Sequence, residues 1–402
     1  MRLLNTSTLE LCEFDISVAP RFAILSPTWG DDEITFDDMC GDRGAIEHRK
    51  GFQKIASFCQ KAQESGFDHG WIDTCCIDKR SSAELSEAIN SMYRYYAESA
   101  ICFIHLADVE LGGDQHVPDM VLNSRWFTRG WTLQELIAPS LRCVFDAAWT
   151  PITFTNMEEE LAAAAKVPTK VLRDNSLVGS FCVAERMHWA SKRQTTREED
   201  IAYCLMGLFD IHMPTIYGEG GQKAFRRLQV EIMQTSFDQT LFAWRAPYDS
   251  SGLLARKPSD FRDTPELSIW GPRYLSPYSM TNVGLSVLVF DATIRNQDGA
   301  APLEAPLMAM IQCDAHNPST LQWQGLAIYL EPVAGAAFYV NGAERKAYRR
   351  VRCREWYLVP TQVSDSAPFW DVLVLEDEHH SLVLNARYAD YSRFGRELPL
   401  RR

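Results

Sequence analysis

The sequence predicts two architectures in one chain: a parallel α/β sheet with a helical extension, then a β-rich C-terminal domain. Three observations carry that prediction. Short apolar runs alternate with amphipathic stripes of helical period over residues 1–150, as strands buried on both faces and their covering helices require. Residues 151–245 read as mostly helical. Across residues 246–402 strand-like runs dominate, punctuated by Pro and Gly.

Residues 21–26 (RFAILS) form the first buried strand, which ends in the loop Pro27-Thr28-Trp29-Gly30. Phe52, Ile55, Ala56, Cys59 and Ala62 recur at helical spacing, and Gly66 stops that helix. Residues 69–73 (HGWID) are the second strand. Ser81 with Glu84 forms a capping box ahead of the apolar stripe Leu85, Ile89, Met92, Tyr93 and Tyr96. Residues 100–106 (AICFIHL) and 141–145 (LRCVF) are the third and fourth strands. Ligands of an open parallel sheet collect beyond the carboxyl ends of its strands. Those ends are residues 26–30, 73–76, 106–108 and the loop ahead of Trp126, where polar and aromatic side chains gather.

In the helical part, Thr196 with Glu199 forms a second capping box, opening a helix lined by Ile201, Leu205 and Leu208. Arg197, Glu198, Glu199 and Asp200 read as a solvated, self-paired helix start. Gly218, Gly220 and Gly221 precede a basic amphipathic helix. They fit a turn needing positive φ, or a phosphate cradle at a helix N-terminus. Further on, residues 284–290, 307–313, 326–330, 350–358 and 372–375 are strands, and Asn341-Gly342 is a tight hairpin turn. A β-sandwich or barrel follows from that pattern. Cys313 and His316 lack the partners a metal site needs.

Composition narrows the function classes. The formal net charge of -13 over 402 residues argues against nucleic acid and anionic membrane surfaces, which select basic faces. No apolar run approaches the ~20 residues of a membrane span. Eleven Cys, an odd count without framework spacing, indicate free thiols in a reducing, cytoplasmic setting.

The stretch richest in chemistry is residues 124–139, SRWFTRGWTLQELIAP, which reads as about four helical turns. Trp131 and Glu135 are four apart and share a face. A carboxyl beside a large aromatic surface is partly desolvated, which raises its pKa. The competing arrangement pairs Glu135 with Arg129 or Arg125 over a Trp core.

Four stretches, LSPTWGDDEITFDDM, GFDHGWIDTCCIDKRSSAELSEAINSMYRYYAESAICFIHL, SRWFTRGWTLQELIAP and REEDIAYCLMGLFDIHMPTIYGEGGQKAFRRLQ, resemble fungal HET (heterokaryon incompatibility) domain proteins in type and order, across residues 1–245. The later MTNVGLSV is similar to the β-rich region that trails this domain. The resemblance implies a role in fungal non-self recognition and regulated cell death. HET domains in turn resemble TIR (Toll/interleukin receptor-like) domains, which have a flavodoxin-like parallel sheet. Enzymatic TIR domains cleave NAD⁺ with a Glu in a W-x-x-x-E-like pattern after a Ser. Ser124, Trp126, Trp131 and Glu135 fall in that context. By this resemblance Glu135 is the catalytic residue, and Ser26, Trp29, Gly30, Asp73 and Trp131 line the cleft. NAD⁺ is then a substrate rather than a resident cofactor, with no metal involved. A homo-oligomer forms on activation, and an upstream non-self sensor protein is the partner. Pro27 stands where the family usually has an aromatic residue or His, which stiffens that loop and removes a donor. Two other readings differ in class: a death-signalling adaptor that works by self-association, and a hydrolase using Cys75 or Cys76 with His105.

Overall fold

The computed structural model describes residues 1–111, 117–270, 277–282, 284–292, 306–340, 343–359 and 369–376. The chain divides into two compact units, Met1–Phe181 with Lys192–Ala224, and Cys182–Ser191 with Phe225–Arg402. All eleven cysteines are free thiols. Among the described residues no helix is long and apolar enough to cross a membrane.

The first unit is built on six strands: β1 (Arg2–Asn5), β2 (Leu11–Glu13), β3 (Ala23–Pro27), β4 (His69–Trp71), β5 (Ile101–His105) and β6 (Arg142–Phe145). Their order in the sheet is β2-β1-β4-β3-β5-β6. β3 pairs parallel with β4 and β5, and β5 pairs parallel with β6. Every residue of β3 is buried, as a strand covered on both faces demands. The edge is an antiparallel hairpin, β1 with β2, laid on β4. It lies upstream of the first strand read from sequence. Only Leu3 and Leu4 of its seven residues are buried, too little pattern to register as a strand.

The helices Lys50–Glu64 and Ser82–Glu98 connect the parallel strands. Ile55, Phe58, Cys59 and Ala62 bury one face of the first, and Ala88, Ile89, Met92, Tyr95 and Tyr96 one face of the second. The capping box at Ser81 is half formed. Its hydroxyl accepts from the Glu84 N–H at 3.3 Å, but the Glu84 carboxylate turns to the Asp78 N–H at 2.8 Å and to Arg2. The guanidinium of Arg142 on β6 is buried. It donates to the carbonyls of Leu136, Ile137, Pro139 and Leu172. It therefore ties down the C-terminal end of the helix Thr132–Ile137, whose last carbonyls lack helical partners.

The second unit resolves the choice between sandwich and barrel. Its strands are β7 (Ser250–Ser251), β8 (Leu267–Ile269), β9 (Ser279–Met280), β10 (Leu285–Asp291), β11 (Leu307–Asn317), β12 (Gln322–Val340), β13 (Ala343–Val351), β14 (Tyr357–Val359) and β15 (Phe369–Val374). β10 pairs with β11, β11 with β12, β12 with β13, β13 with β15, and β15 with β10, so five strands close into a ring. Closure leaves those strands without a free edge. The long β12 makes this possible by pairing with β11 along its first half and β13 along its second. Its ladder with β13 shifts register after Pro332, which has no N–H to give. Phe290, Ala292, Met310, Ala327 and Val359 pack together inside, with Trp270, Met308 and Tyr357 against them. The hairpin turn expected at Asn341-Gly342 lies outside the described residues.

Candidate active site

Residues 124–139 do not form the continuous helix of about four turns that their spacing predicts. Arg125–Thr128 is a short 3₁₀ segment, and the α-helix spans Thr132–Ile137. The break lies at Arg129-Gly130, where the chain pairs with Gln194. The Gln194 N–H donates to the Thr128 carbonyl and the Gly130 N–H to the Gln194 carbonyl, both at 2.7 Å. Only glycine fits here, because a Cβ on Gly130 would stand 2.5 Å from Thr195 Cγ2 and 3.0 Å from Cys204 Sγ. Buried Arg193 closes the junction by donating to the Arg129 carbonyl at 2.9 Å and to Thr132 Oγ1 at 2.8 Å. Trp131 and Glu135 still share one turn, since the Glu135 N–H donates to the Trp131 carbonyl at 3.4 Å.

Glu135 is only 7 % exposed. Its carboxyl group bonds to the Ser26 hydroxyl, which also accepts from Trp126 Nε1 at 3.0 Å. Trp126 and Ser26 are both fully buried. Among the described residues Glu135 forms no ion pair, so the pairing with Arg125 or Arg129 is not made. Burial pushes its pKa up to about 8; hydrogen bonds with Ser26 and Tyr96 and the Arg129 charge pull it down, while the Asp73 charge pushes it further up.

Asp73, at the end of β4, accepts from Trp29 Nε1 at 3.0 Å, and its Oδ1 is buried without a partner. Thr28 Oγ1 and Thr74 Oγ1, at the ends of the same two strands, are also buried and unpartnered. Lys79 Nζ lies 3.9 Å from the centre of the Trp29 ring and 4.0 Å from Asp73. On the other side Trp131 Nε1 donates to Asp200 at 3.2 Å, and Tyr217 Oη donates to the same carboxyl group at 2.9 Å. Burial raises the Asp200 pKa. Arg197 lies over the Tyr217 ring at 4.3 Å.

These groups enclose a cavity of about 410 Å³, large enough for much of a dinucleotide. Four residues named from sequence line it: Trp29, Asp73, Trp131 and Glu135. Ser26 stands behind Glu135 as its hydrogen-bond partner. Gly30 is not among the lining residues; it is exposed and its N–H donates to Glu33 at 2.7 Å. Pro27 lines the cavity in place of a residue with a donor.

Lys79, Arg129, Arg197, Asp200 and Tyr217 were missed as site residues. Arg197 and Asp200 belong to the run read as a solvated helix start. The capping box at Thr196 is likewise absent. Glu199 is buried and accepts from the Gly218 and Gly220 N–H groups at 2.8 and 3.0 Å. Gly218 and Gly220 have φ of 97° and 85°, which explains the glycines. Their N–H groups are already taken by Glu199, so this turn does not cradle a phosphate. One signal was available: a positive-φ turn leaves N–H groups in need of an acceptor, and three acids stand just upstream.

Burial disfavours the thiol reading, since Cys75 and Cys76 are both buried. Cys75 is fully buried with its pKa raised well above the ordinary thiol value by Cys76 and desolvation. His105 stacks on Trp149 at 4.3 Å, and desolvation lowers its pKa to about 4. A thiolate and a basic imidazole are both disfavoured there.

Residues 22–120 match the family model described as heterokaryon incompatibility protein (HET), and residues 223–285 match a domain of unknown function (DUF8212). Over 221 residues the chain is 43% identical to vegetative incompatibility protein HET-E-1 of Podospora anserina, a match that takes in 53% of this chain and 16% of that protein. The chain thus corresponds to a small part of that relative's length. No solved structure matches. The family match, the similarity to HET-E-1 and the order of the four motifs agree on a heterokaryon incompatibility (HET) domain in the first part of the chain, with the family model matching residues 22–120.

Proposed function

We propose that this chain acts in fungal non-self recognition and regulated cell death, and that its first unit hydrolyses NAD⁺ at the Glu135 cavity. One observation carries the proposal. A carboxyl group is held almost dry in the wall of a cavity of about 410 Å³, with the hydroxyls of Ser26 and Tyr96 rather than a cation as its partners. Structural carboxyl groups at this depth are paired; an uncompensated one beside open space is a mark of a site. The parallel strands support a TIR-like ancestry. Numbered in chain order, their sequence in the sheet is second-first-third-fourth, which is flavodoxin-like, and Glu135 follows the third.

In the reaction, the bond between nicotinamide and ribose C1′ breaks and its electron pair leaves with neutral nicotinamide. A water oxygen bonds to C1′, its proton is released to solvent, and ADP-ribose is the other product. No acid is needed to expel nicotinamide. The cost lies in the ribosyl oxocarbenium ion, which a nearby carboxylate stabilises. Glu135 takes that role in its ionised form. A cationic pyridinium arriving beside it favours that form, so NAD⁺ binding releases a proton at neutral pH. Asp73 adds negative potential, Trp29 and Trp131 give flat walls, and Lys79, Arg129 and Arg197 suit the diphosphate. Activity in the cytoplasm follows assembly into a homo-oligomer when an upstream sensor triggers it.

Nicotinamide release by concentrated wild-type chain and by Glu135→Gln tests this. A loss of about 100-fold or more is expected for the variant. Equal turnover removes Glu135 from the mechanism. Assembly and cell killing that survive without any turnover would instead make the chain a self-associating adaptor.

A further inference from the structure

We infer that the second unit carries a separate anion site, built for a compact solute bearing several phosphate groups. Arg245, Lys257, Arg262 and Arg354 line one pocket of about 440 Å³. Four cations around one concavity stand out in a chain whose formal net charge is -13. Three separate segments deliver them, and backbone hydrogen bonds fasten those segments together. The Arg245 N–H donates to the Asp260 carbonyl and the Ala246 N–H to the Cys353 carbonyl, both at 2.9 Å. Arg245 is also held from the side, its guanidinium 4.1 Å from the centre of the Trp356 ring. That ring is fixed in turn by its Nε1 donating to the Trp244 carbonyl at 3.3 Å. A guanidinium placed this way loses little freedom on meeting an anion.

Two carboxyl groups share the pocket, and neither cancels the cations. Asp260 is 3 % exposed and turned onto its own backbone. It accepts from the Arg256 N–H at 3.0 Å, the Lys257 N–H at 3.3 Å and Tyr248 Oη at 3.3 Å. Asp263 is exposed and stands 3.7 Å from Arg245, a loose pair in solvent. Arg245 Nε is buried with no partner. The remaining wall is Ala246, Pro247 and Ser259, with no aromatic face to stack a base among the described residues. The ligand is therefore recognised by its phosphates. Arg forks match phosphate oxygens in pairs, and several cations select several charges. Three of the four cations fall inside residues 223–285, the matched domain of unknown function.

Calorimetric titration of the full chain with inorganic tripolyphosphate, and separately with ATP, tests the site. Both should bind this pocket saturably and with similar affinity, since the nucleoside adds nothing there, and the affinity should fall as salt rises. The double variant Arg262→Ala/Arg354→Ala removes two exposed side chains, so folding is spared. It should weaken tripolyphosphate binding about tenfold or more. Lys79→Ala, in the first unit's cavity, should leave that binding unchanged. Absence of saturable binding overturns the inference. So does a double variant that binds like wild type, or a loss confined to Lys79→Ala.

Discussion

Glu135 in the α/β unit and Arg350 in the β-rich unit are both buried ionisable side chains, but the fold treats them in opposite ways. Arg350 is 1 % exposed. It donates to the Phe242 carbonyl at 2.9 Å and the Trp244 carbonyl at 2.6 Å, and it lies 3.8 Å from the centre of the Trp244 ring. Its charge is met by fixed carbonyl dipoles and an aromatic face. Burial still lowers its pKa to about 10, which leaves it charged at neutral pH. Glu135 has only hydroxyl partners, Ser26 and Tyr96, and a cavity at its side. Burial has moved its pKa past neutrality, so at rest it is mostly uncharged. A fully solvated buried charge holds a fold together. A poorly solvated one stores free energy that a ligand of opposite charge releases.

The largest effect expected from this contrast is on stability. Arg350→Ala strips the buried Phe242 carbonyl of this donor, leaves the Trp244 carbonyl with Trp356 Nε1 alone and takes the cation from the Trp244 ring, and should cost about 3 kcal/mol. Denaturant unfolding of the full chain measures it. A loss below about 1 kcal/mol would mean the carbonyls find other donors and the comparison is empty.

Per pH unit a smaller effect, with the opposite sign, is expected at Glu135. Its folded pKa is about 8 and its ordinary value 4.5. The folded state holds the proton more tightly, so the stabilisation is complete below the lower value and is lost as pH rises through the upper one. Within that window wild type should lose on the order of 1.4 kcal/mol per pH unit relative to Glu135→Gln. Thermal melting of both proteins at the two ends of the window reads this out. Parallel curves would show that Glu135 is not buried as an acid.

Part of this contrast was legible in the sequence. Apolar runs such as AILSP and ICFIH reveal parallel strands because nothing polar needs to face out. The four-residue spacing of Trp131 and Glu135 survived the helix break, since a single turn suffices to set it. The break itself was hidden, because its causes, Arg193, Gln194 and Thr195, stand some sixty residues along the chain. Asp200 was hidden for a related reason. In a charged run R-E-E-D, sequence alone does not say which acid turns inward to meet Trp131 and Tyr217. Local pattern finds the strands; pairing at long range decides which of their neighbours become the site.

Infrared difference spectroscopy of wild type against Glu135→Gln, followed across pH, tests the central claim most directly. A protonated-carboxyl carbonyl band should be present at neutral pH, fade through about 8, and vanish at neutral pH when NAD⁺ is added. Carboxylate bands already present well below neutrality, and unmoved by NAD⁺, would contradict it.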